Sequence, residues 1–221
     1  MIKARLIATS LFVLTLGSCS RGVSHEVSEA VWKDTFENWN ITNATVILNN
    51  DDESNLADLT VKAESKTKLY YEMTLGEVIL EAFAYEEDGK YYSIAMISGV
   101  TENYMRQEMS KEEFEAAPNG EPFSYIFTPY IADSFDLKNK YKDFTYDASK
   151  ESYIGTIEIS AKENSEVVEE GTVEIKFTNN KLTFLEASEN YEGTKTSMTL
   201  KDIGSTIITI PTDFVDFNFS F

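Results

Sequence analysis

The chain has 221 residues with 19 basic and 38 acidic side chains, a formal net charge of −19, and 42% of its residues are hydrophobic. That apolar content is typical of a globular protein, and the excess of acid disfavours a nucleic-acid partner, because phosphate backbones are bound through Lys and Arg. The single cysteine, Cys19, and the single histidine, His25, exclude a zinc ribbon, a His-based zinc site and an internal disulfide. We therefore expect no metal and no cofactor.

The first 18 residues have the pattern of an export signal. Two basic residues precede a short apolar stretch, residues 6–16, which is too short to span a bilayer. The run Leu16-Gly17-Ser18-Cys19 resembles a bacterial lipobox, whose cysteine is acylated and becomes the mature N-terminus. We predict a signal peptide over 1–18 and a lipidated tether over 19–24; an ordinary secretory signal with an unrelated cysteine is the alternative.

The predicted lipobox implies a location at the cell membrane. Acyl chains on Cys19 would hold it on the outside of the cell membrane, or on the outer membrane if the host has one. Anchoring would depend on lipid and not on charge, since an acidic surface is repelled by anionic head groups.

An amphipathic helix is predicted from about residue 25 to residue 39, with Ser24 as a possible cap. Its apolar residues recur at spacings of three to five positions: Val27, Val31, Phe36 and Trp39. Both tryptophans of the chain, Trp32 and Trp39, lie on this segment. They either pin the helix to a sheet or form part of the wall of an apolar ligand site.

Short alternating runs then predict strands at 41–48, 59–63, 69–75, 78–85, 91–97 and 103–109. Asp88-Gly89 predicts a hairpin turn between two of them. Ser110 followed by Glu113 has the spacing of a capping box, which predicts a short helix to Ala117.

A second apolar stripe follows in the middle of the chain, where three of the four prolines lie close together. Apolar residues recur here at steps of three to four: Phe123, Ile126, Phe127, Tyr130, Ile131 and Phe135. The spacing predicts a helical lid over 122–135 that Pro129 starts or kinks.

Alternation returns after about Leu137 and predicts strands at 153–159, 171–178, 182–187, 194–200 and 207–210. Residues 171–178 show the pattern most clearly, with Val173, Ile175 and Phe177 on one face and polar residues on the other. Asn179-Asn180 predicts a hairpin turn after this strand.

These elements predict a mainly β (α+β) fold, with one strongly curved antiparallel sheet of about ten strands. The N-terminal helix and the mid-chain lid, and not a second sheet, would cover its apolar face. Residues 25–221 form one domain in this reading, and we expect a monomer.

The order of elements resembles the bacterial lipoprotein carriers of the LolA/LolB and LppX/LprG type. Two hairpins carry the resemblance locally: Asp88-Gly89-Lys90-Tyr91-Tyr92, and Lys201-Asp202-Ile203-Gly204 leading to Thr209-Ile210-Pro211. The resemblance implies an unclosed barrel whose concave face can hold acyl chains. It transfers no individual ligand contacts, because the matching motifs are structural.

Two functional hypotheses follow. The first is a membrane-anchored module that binds or carries a lipid, glycolipid or acylated peptide on the concave face, with these candidate contacts: Trp32, Phe36, Trp39, Phe123, Ile126, Phe127, Tyr130 and Ile131. The second is a structural or sensory envelope lipoprotein with a filled core, whose acidic surface meets a protein or cell-wall partner.

Other chemistry has little support in the sequence. The sole histidine lies six residues after Cys19, so we expect no nucleophilic catalysis and assign no catalytic residue. Residues 49–54 are rich in oxygen ligands but lack the glycine and distal glutamate of an EF-hand loop, and we interpret them as a solvated turn. The tail through Phe217, Phe219 and Phe221 resembles the last strand of an outer-membrane barrel; we interpret it as an edge strand or a hydrophobic clasp.

Overall fold

The computed structural model describes residues 25–50, 58–101, 103–120, 122–128, 133, 135–160, 168–189 and 195–216. The predictions made for Cys19, Pro129, Tyr130 and Ile131, for most of the oxygen-rich turn and for the tail at 217–221 lie outside these residues. Within them, no helix is long and apolar enough to cross a membrane.

Twelve strands are formed by the described residues, and all belong to one sheet. Their bounds are β1 Ala44–Asn50, β2 Asp58–Ser65, β3 Lys68–Leu75, β4 Val78–Glu87, β5 Lys90–Ile97, β6 Tyr104–Met109, β7 Phe144–Asp147, β8 Ser152–Ser160, β9 Val168–Thr178, β10 Lys181–Glu189, β11 Lys195–Lys201 and β12 Phe214–Asp216. The spatial order is β12-β6-β5-β4-β3-β2-β1-β11-β10-β9-β8-β7. Only the β12–β6 pair is parallel, and the sheet is not closed, because β7 and β12 are separate edges.

The helices whose bounds lie within the described residues are short. They are α1 Glu29–Glu37, α2 Lys111–Ala116 and α3 Ser124–Phe127, with 3₁₀ turns at Ala117–Asn119, Leu137–Asn139 and Tyr141–Asp143. A mainly β fold with one mostly antiparallel sheet and few helices is therefore confirmed.

The strand count differs from the prediction in three places. β7 and β12, of four and three residues, are too short to show an alternating pattern. Residues 207–210 are not a strand: Ile208 is buried against the outer side of the sheet, and its backbone N–H donates to Glu64 Oε2 (2.8 Å) instead of to a neighbouring strand. The alternation there reflects packing of a segment on the sheet, not pairing within it.

The N-terminal helix begins later than predicted. Ser28 caps α1, and its Oγ accepts a hydrogen bond from the backbone of the first turn (3.3 Å). The predicted start at residue 25 is wrong because the His25 backbone N–H donates to Phe177 O (3.0 Å) on β9. The sheet thus holds the residues before the helix in extended form.

The predicted turns are confirmed by their backbone angles. Asp88 and Gly89 have φ of 50° and 76°, and Asn179 and Asn180 have φ of 53° and 60°, the left-handed values of a tight hairpin turn. The capping box at Ser110 is present, although α2 ends at Ala116. Within the predicted lid at 122–135, residues 122–128 form a turn and the single-turn helix α3, and Asp133 is also helical.

The pairing of β7 with β8 depends on a residue without a side chain. Gly155 lies directly opposite Phe144, and a Cβ at Gly155 would lie 2.8 Å from the Phe144 ring. We expect Gly155→Ala to lower the free energy of unfolding by about 1–3 kcal/mol through overpacking, measured by urea denaturation. Gly120→Ala is the control, because its Cβ would meet nothing closer than 3.7 Å; equal losses in both variants would contradict this packing.

Candidate functional site

One row of apolar side chains crosses ten strands of the sheet. Direct partners in antiparallel strands point to the same side of a sheet, so the cross-strand register places these residues on one face: Tyr146, Tyr153, Ile175, Leu185, Met198, Leu48, Leu59, Met73, Leu80 and Ile97. We call this the inner face. The helices α1, α2 and α3 contribute Trp32, Phe114 and Ile126 to the core on this face.

The half of the inner face formed by β7–β11 is filled by aromatic side chains. Trp32 of α1 is fully buried, and its ring lies 5.0–5.7 Å from five others: Phe36, Tyr141, Phe144, Tyr153 and Phe177. Trp32 Nε1 donates to Leu137 O (2.7 Å), so its one polar atom is satisfied. No room for a ligand remains around this indole.

The hydroxyl of Tyr153 ties the N-terminal segment to the same cluster. It donates to Val27 O (2.7 Å) and accepts from Val27 N–H (2.8 Å). Burial raises the pKa of Tyr153 above its usual value. The group is therefore neutral at physiological pH and acts as a structural clamp.

Helix α3 covers the middle of the inner face, over β1 and β2. Ile126 is fully buried, and its carbonyl accepts a hydrogen bond from Trp39 Nε1 (2.7 Å). Phe123 is buried edge-on against Tyr71 of β3, with ring centroids 5.9 Å apart. Phe127, at the end of α3, is only half-buried.

Beyond α3, on β3–β6, the apolar side chains of the inner face are less buried. Eight apolar residues on β3–β6 belong to neither of the two core clusters formed by the described residues: Met73, Leu75, Val78, Leu80, Ala82, Ala95, Ile97 and Met105. Their register places all eight on the inner face. Leu75 and Val78 are 50% and 39% exposed and the other six are partly buried. We call these residues the open patch.

The structure separates the candidate contacts into three groups. Trp32, Phe36, Phe123 and Ile126 are buried in the core, Trp39 and Phe127 are partly exposed, and Tyr130 and Ile131 lie outside the described residues. Contact with a ligand stays a prediction for all eight.

Sequence reasoning missed the open patch. Its members lie in runs that were predicted as strands, but both faces of β4 carry apolar residues, so alternation alone did not distinguish the inner face. The cross-strand register, which brings Met73, Leu80 and Ile97 into one row, was needed to find it.

The outer face of β2–β6 is covered by the C-terminal segment. Ile208 packs in a cluster with Tyr70, Phe83, Tyr85 and Ile94. The carboxylate of Glu81 accepts hydrogen bonds from Tyr70 (3.1 Å) and Tyr104 (2.7 Å).

Arg106, on the outer face of β6, holds β12 at the edge of the sheet. Its guanidinium lies 4.0 Å from the centroid of the Phe214 ring, and its Nε donates to Asp216 (2.7 Å). The hydrogen bond from Arg106 lowers the pKa of Asp216 from its usual value. These interactions hold β12 against β6.

Groups suited to metal binding or catalysis are not evident in the part of the chain that the structure describes. It contains no cluster of three or more His, Cys, Asp or Glu residues that could hold a metal ion. His25 Nε2 lies 3.0 Å from Asn180 Oδ1 at the β9–β10 turn. The expectation of a non-enzymatic protein stays a prediction.

No protein-family model matches the sequence, and no curated protein matches it. Among solved structures, the chain is similar to the Mycobacterium tuberculosis lipoprotein LppX, with a TM-score of 0.41 and 10% sequence identity. The match covers 81% of this chain and 96% of LppX.

The contrast between Trp32 and Phe127 is testable by stability measurements. We expect Trp32→Ala to lower the free energy of unfolding by about 3–5 kcal/mol, because it leaves a cavity among five rings. Phe127→Ala should cost less than about 2 kcal/mol, because its ring is only half-buried. Urea denaturation followed by circular dichroism measures both, and a larger loss for Phe127→Ala would contradict the assignment of Trp32 to the core.

Proposed function

We propose that the protein is a lipid-anchored envelope protein that binds an apolar ligand, a lipid, glycolipid or acylated peptide, on the open patch. The proposal rests on the difference in burial between the two halves of the inner face. One continuous apolar row is buried at Ile175, Leu185 and Met198 but only partly buried at Met73, Leu80 and Ile97.

The chemistry of the open patch supports an acyl chain. On β3–β6, the inner-face cross-strand rows that contain these residues hold no charged side chain, whereas 26% of the residues in the chain are charged. Clustered apolar side chains left in contact with water are a common mark of a binding surface. Burial of these side chains under a hydrocarbon ligand would stabilise the complex, and such a ligand would need no hydrogen bonds.

The helices take different roles in this proposal. Trp32 and Phe36 fix the filled half of the sheet, while Phe123 borders the open half, where it packs against Tyr71. Phe127 lies beside the β2–β3 turn, with the Lys66 ammonium 5.7 Å from the centroid of its ring. Tyr130 and Ile131 follow α3 closely in sequence, so we retain them as candidate contacts together with Trp39. A ligand in this position would extend from the hairpin ends of β3–β4 toward α3.

The first binding test uses two neighbouring residues of β4. Leu80 lies on the inner face within the open patch, whereas Ile79 pairs with Thr74 on the outer face. We expect Leu80→Glu to weaken binding of a fluorescent fatty acid at least roughly tenfold, because an acyl chain would have to desolvate the new carboxylate. Ile79→Glu is the matched control and should bind as the unmodified protein does.

Two outcomes would contradict the binding proposal. One is an unmodified protein that carries no lipid by mass spectrometry and takes up no fatty acid, and the other is equal loss of binding in both variants. The first outcome would favour the second hypothesis, a filled protein that meets a partner through its acidic surface.

The anchoring part of the proposal rests on the lipobox. Five residues lie between Cys19 and His25, the first described residue, which the sheet holds through Phe177. The folded domain would therefore lie close to the membrane surface.

Replacement of the lipobox cysteine tests the anchor. We expect Cys19→Ser to move the protein from the membrane fraction to the soluble fraction and to abolish incorporation of labelled palmitate, because no thiol remains to be acylated. Fractionation and labelling in a bacterial host measure both effects. A variant that still fractionates with membranes and still incorporates label would contradict the anchor at Cys19.

A further inference from the structure

A groove of about 450 Å³ lies at one end of the sheet, away from the open patch. It is formed by the C-terminal end of α1 and the segment that follows, by the β9–β10 turn and by the loop after β11. Its volume is in the range of small-molecule sites. Six of its lining residues carry the argument: Asn38, Trp39, Asn40, Asn43, Asn180 and Lys181.

We propose that this groove binds a neutral saccharide, either free or as the head group of a glycolipid. The proposal is independent of the open patch, because none of the eight open-patch residues lines the groove and the chemistry of the lining is different.

Amide side chains dominate the polar lining of the groove. Each asparagine offers two N–H donors and a carbonyl acceptor, which together match hydroxyl groups that both donate and accept. The Asn38 amide nitrogen donates to Asp34 Oδ1 (2.7 Å), and the Asn38 side-chain oxygen can accept a hydrogen bond from a ligand. His25 contacts Asn180 through the carbonyl oxygen Oδ1 (3.0 Å), so the two N–H donors of the Asn180 amide can bind a ligand.

One of the four amides has a structural task. Asn43 accepts from Thr206 N–H (2.7 Å) and donates to the carbonyls of Thr206 (3.0 Å) and Glu64 (2.9 Å). It fixes the floor of the groove, so recognition falls to Asn38, Asn40 and Asn180.

Trp39 supplies an aromatic surface beside these amides. Its Nε1 is committed to Ile126 O (2.7 Å), so the indole would meet a ligand through ring carbons and not through its N–H. Leu182 and Ile203 extend the apolar part of the lining. A sugar ring presents the complementary combination, with C–H groups on its faces and hydroxyls at its edge.

The charges around the groove disfavour an ionic ligand. Asp34 and Lys181 are the charged side chains among the described lining residues, and they balance each other. The groove also lies at the C-terminal end of α1, where the helix dipole is negative and no basic residue occupies the last turn. A phosphate or carboxylate would meet an unfavourable potential there, in a chain of net charge −19.

The two tryptophans provide an internal control for the experiment. Trp39 lines the groove, whereas Trp32 is buried in the aromatic cluster. We expect titration with neutral disaccharides such as maltose and lactose to shift the Trp39 indole N–H resonance in a ¹H–¹⁵N spectrum, while that of Trp32 stays in place. Glucose 6-phosphate should bind more weakly than glucose.

Variants then assign the site. Asn40 is exposed and makes none of the described hydrogen bonds, so we expect Asn40→Ala to fold normally and to weaken binding roughly threefold to tenfold, the effect of one lost hydrogen bond. Asn49→Ala, an exposed asparagine of β1 outside the groove, is the matched control and should leave binding unchanged.

Vesicles distinguish the two sources of saccharide. Phosphatidylcholine vesicles with digalactosyl diacylglycerol, compared with phosphatidylcholine alone, test a glycolipid head group; binding that free disaccharide competes away supports the groove. The proposal is overturned if no neutral sugar shifts the Trp39 resonance, or if the phosphorylated sugar binds more tightly than the neutral one. Binding of saccharide without binding of fatty acid would support the groove and reject the apolar-ligand proposal alone.

Discussion

The burial of Trp32 is the interaction on which the rest of the structure depends. A sheet with one apolar face is stable only when that face is covered, and α1 covers it with a single indole that contacts five aromatic rings. Its hydrogen bond to Leu137 O joins the N-terminal helix to the chain between α3 and β7. These contacts hold the α1 side of the domain together.

The same packing explains why the two halves of the sheet differ. Large rings from α1, from the 3₁₀ turn at Tyr141–Asp143 and from β7 occupy the space over β7–β11. Over β3–β6 the described helices contribute chiefly Phe114, which packs on Tyr91, and Phe123, which packs on Tyr71. Met73, Leu80 and Ile97 belong to neither core cluster of the described residues, and the apolar row is only partly buried there.

Much of the fold was predictable because local rules decide it. The alternation in β9, the left-handed turn residues at Asp88 and Asn179, and the capping box at Ser110 each act within a few residues. The start of α1 was not predictable, since a hydrogen bond to β9, far away in sequence, holds His25 in an extended conformation. Pairing of β12 likewise depends on Arg106, a residue of another strand.

The candidate sites show the same difference between features that local sequence determines and features that long-range contacts determine. Aromatic residues such as Trp32 were recognisable as important from spacing, but spacing does not distinguish a core residue from a ligand contact. The open patch and the groove are assembled from residues of several strands and loops, so only the register and the chain path bring them together.

The position of β1 beside β11 has a consequence for how the molecule folds. Strands β1–β6 form one meander of sequence neighbours and β7–β11 form another, so most pairings are local. The exceptions are the short β12–β6 pair and the longer seam between β1 and β11, whose partners, such as Val46 and Leu200, lie about 150 residues apart. Because loop closure of that size is entropically costly, the rate of folding depends on how readily two meanders, each formed from hairpins, find each other along this seam.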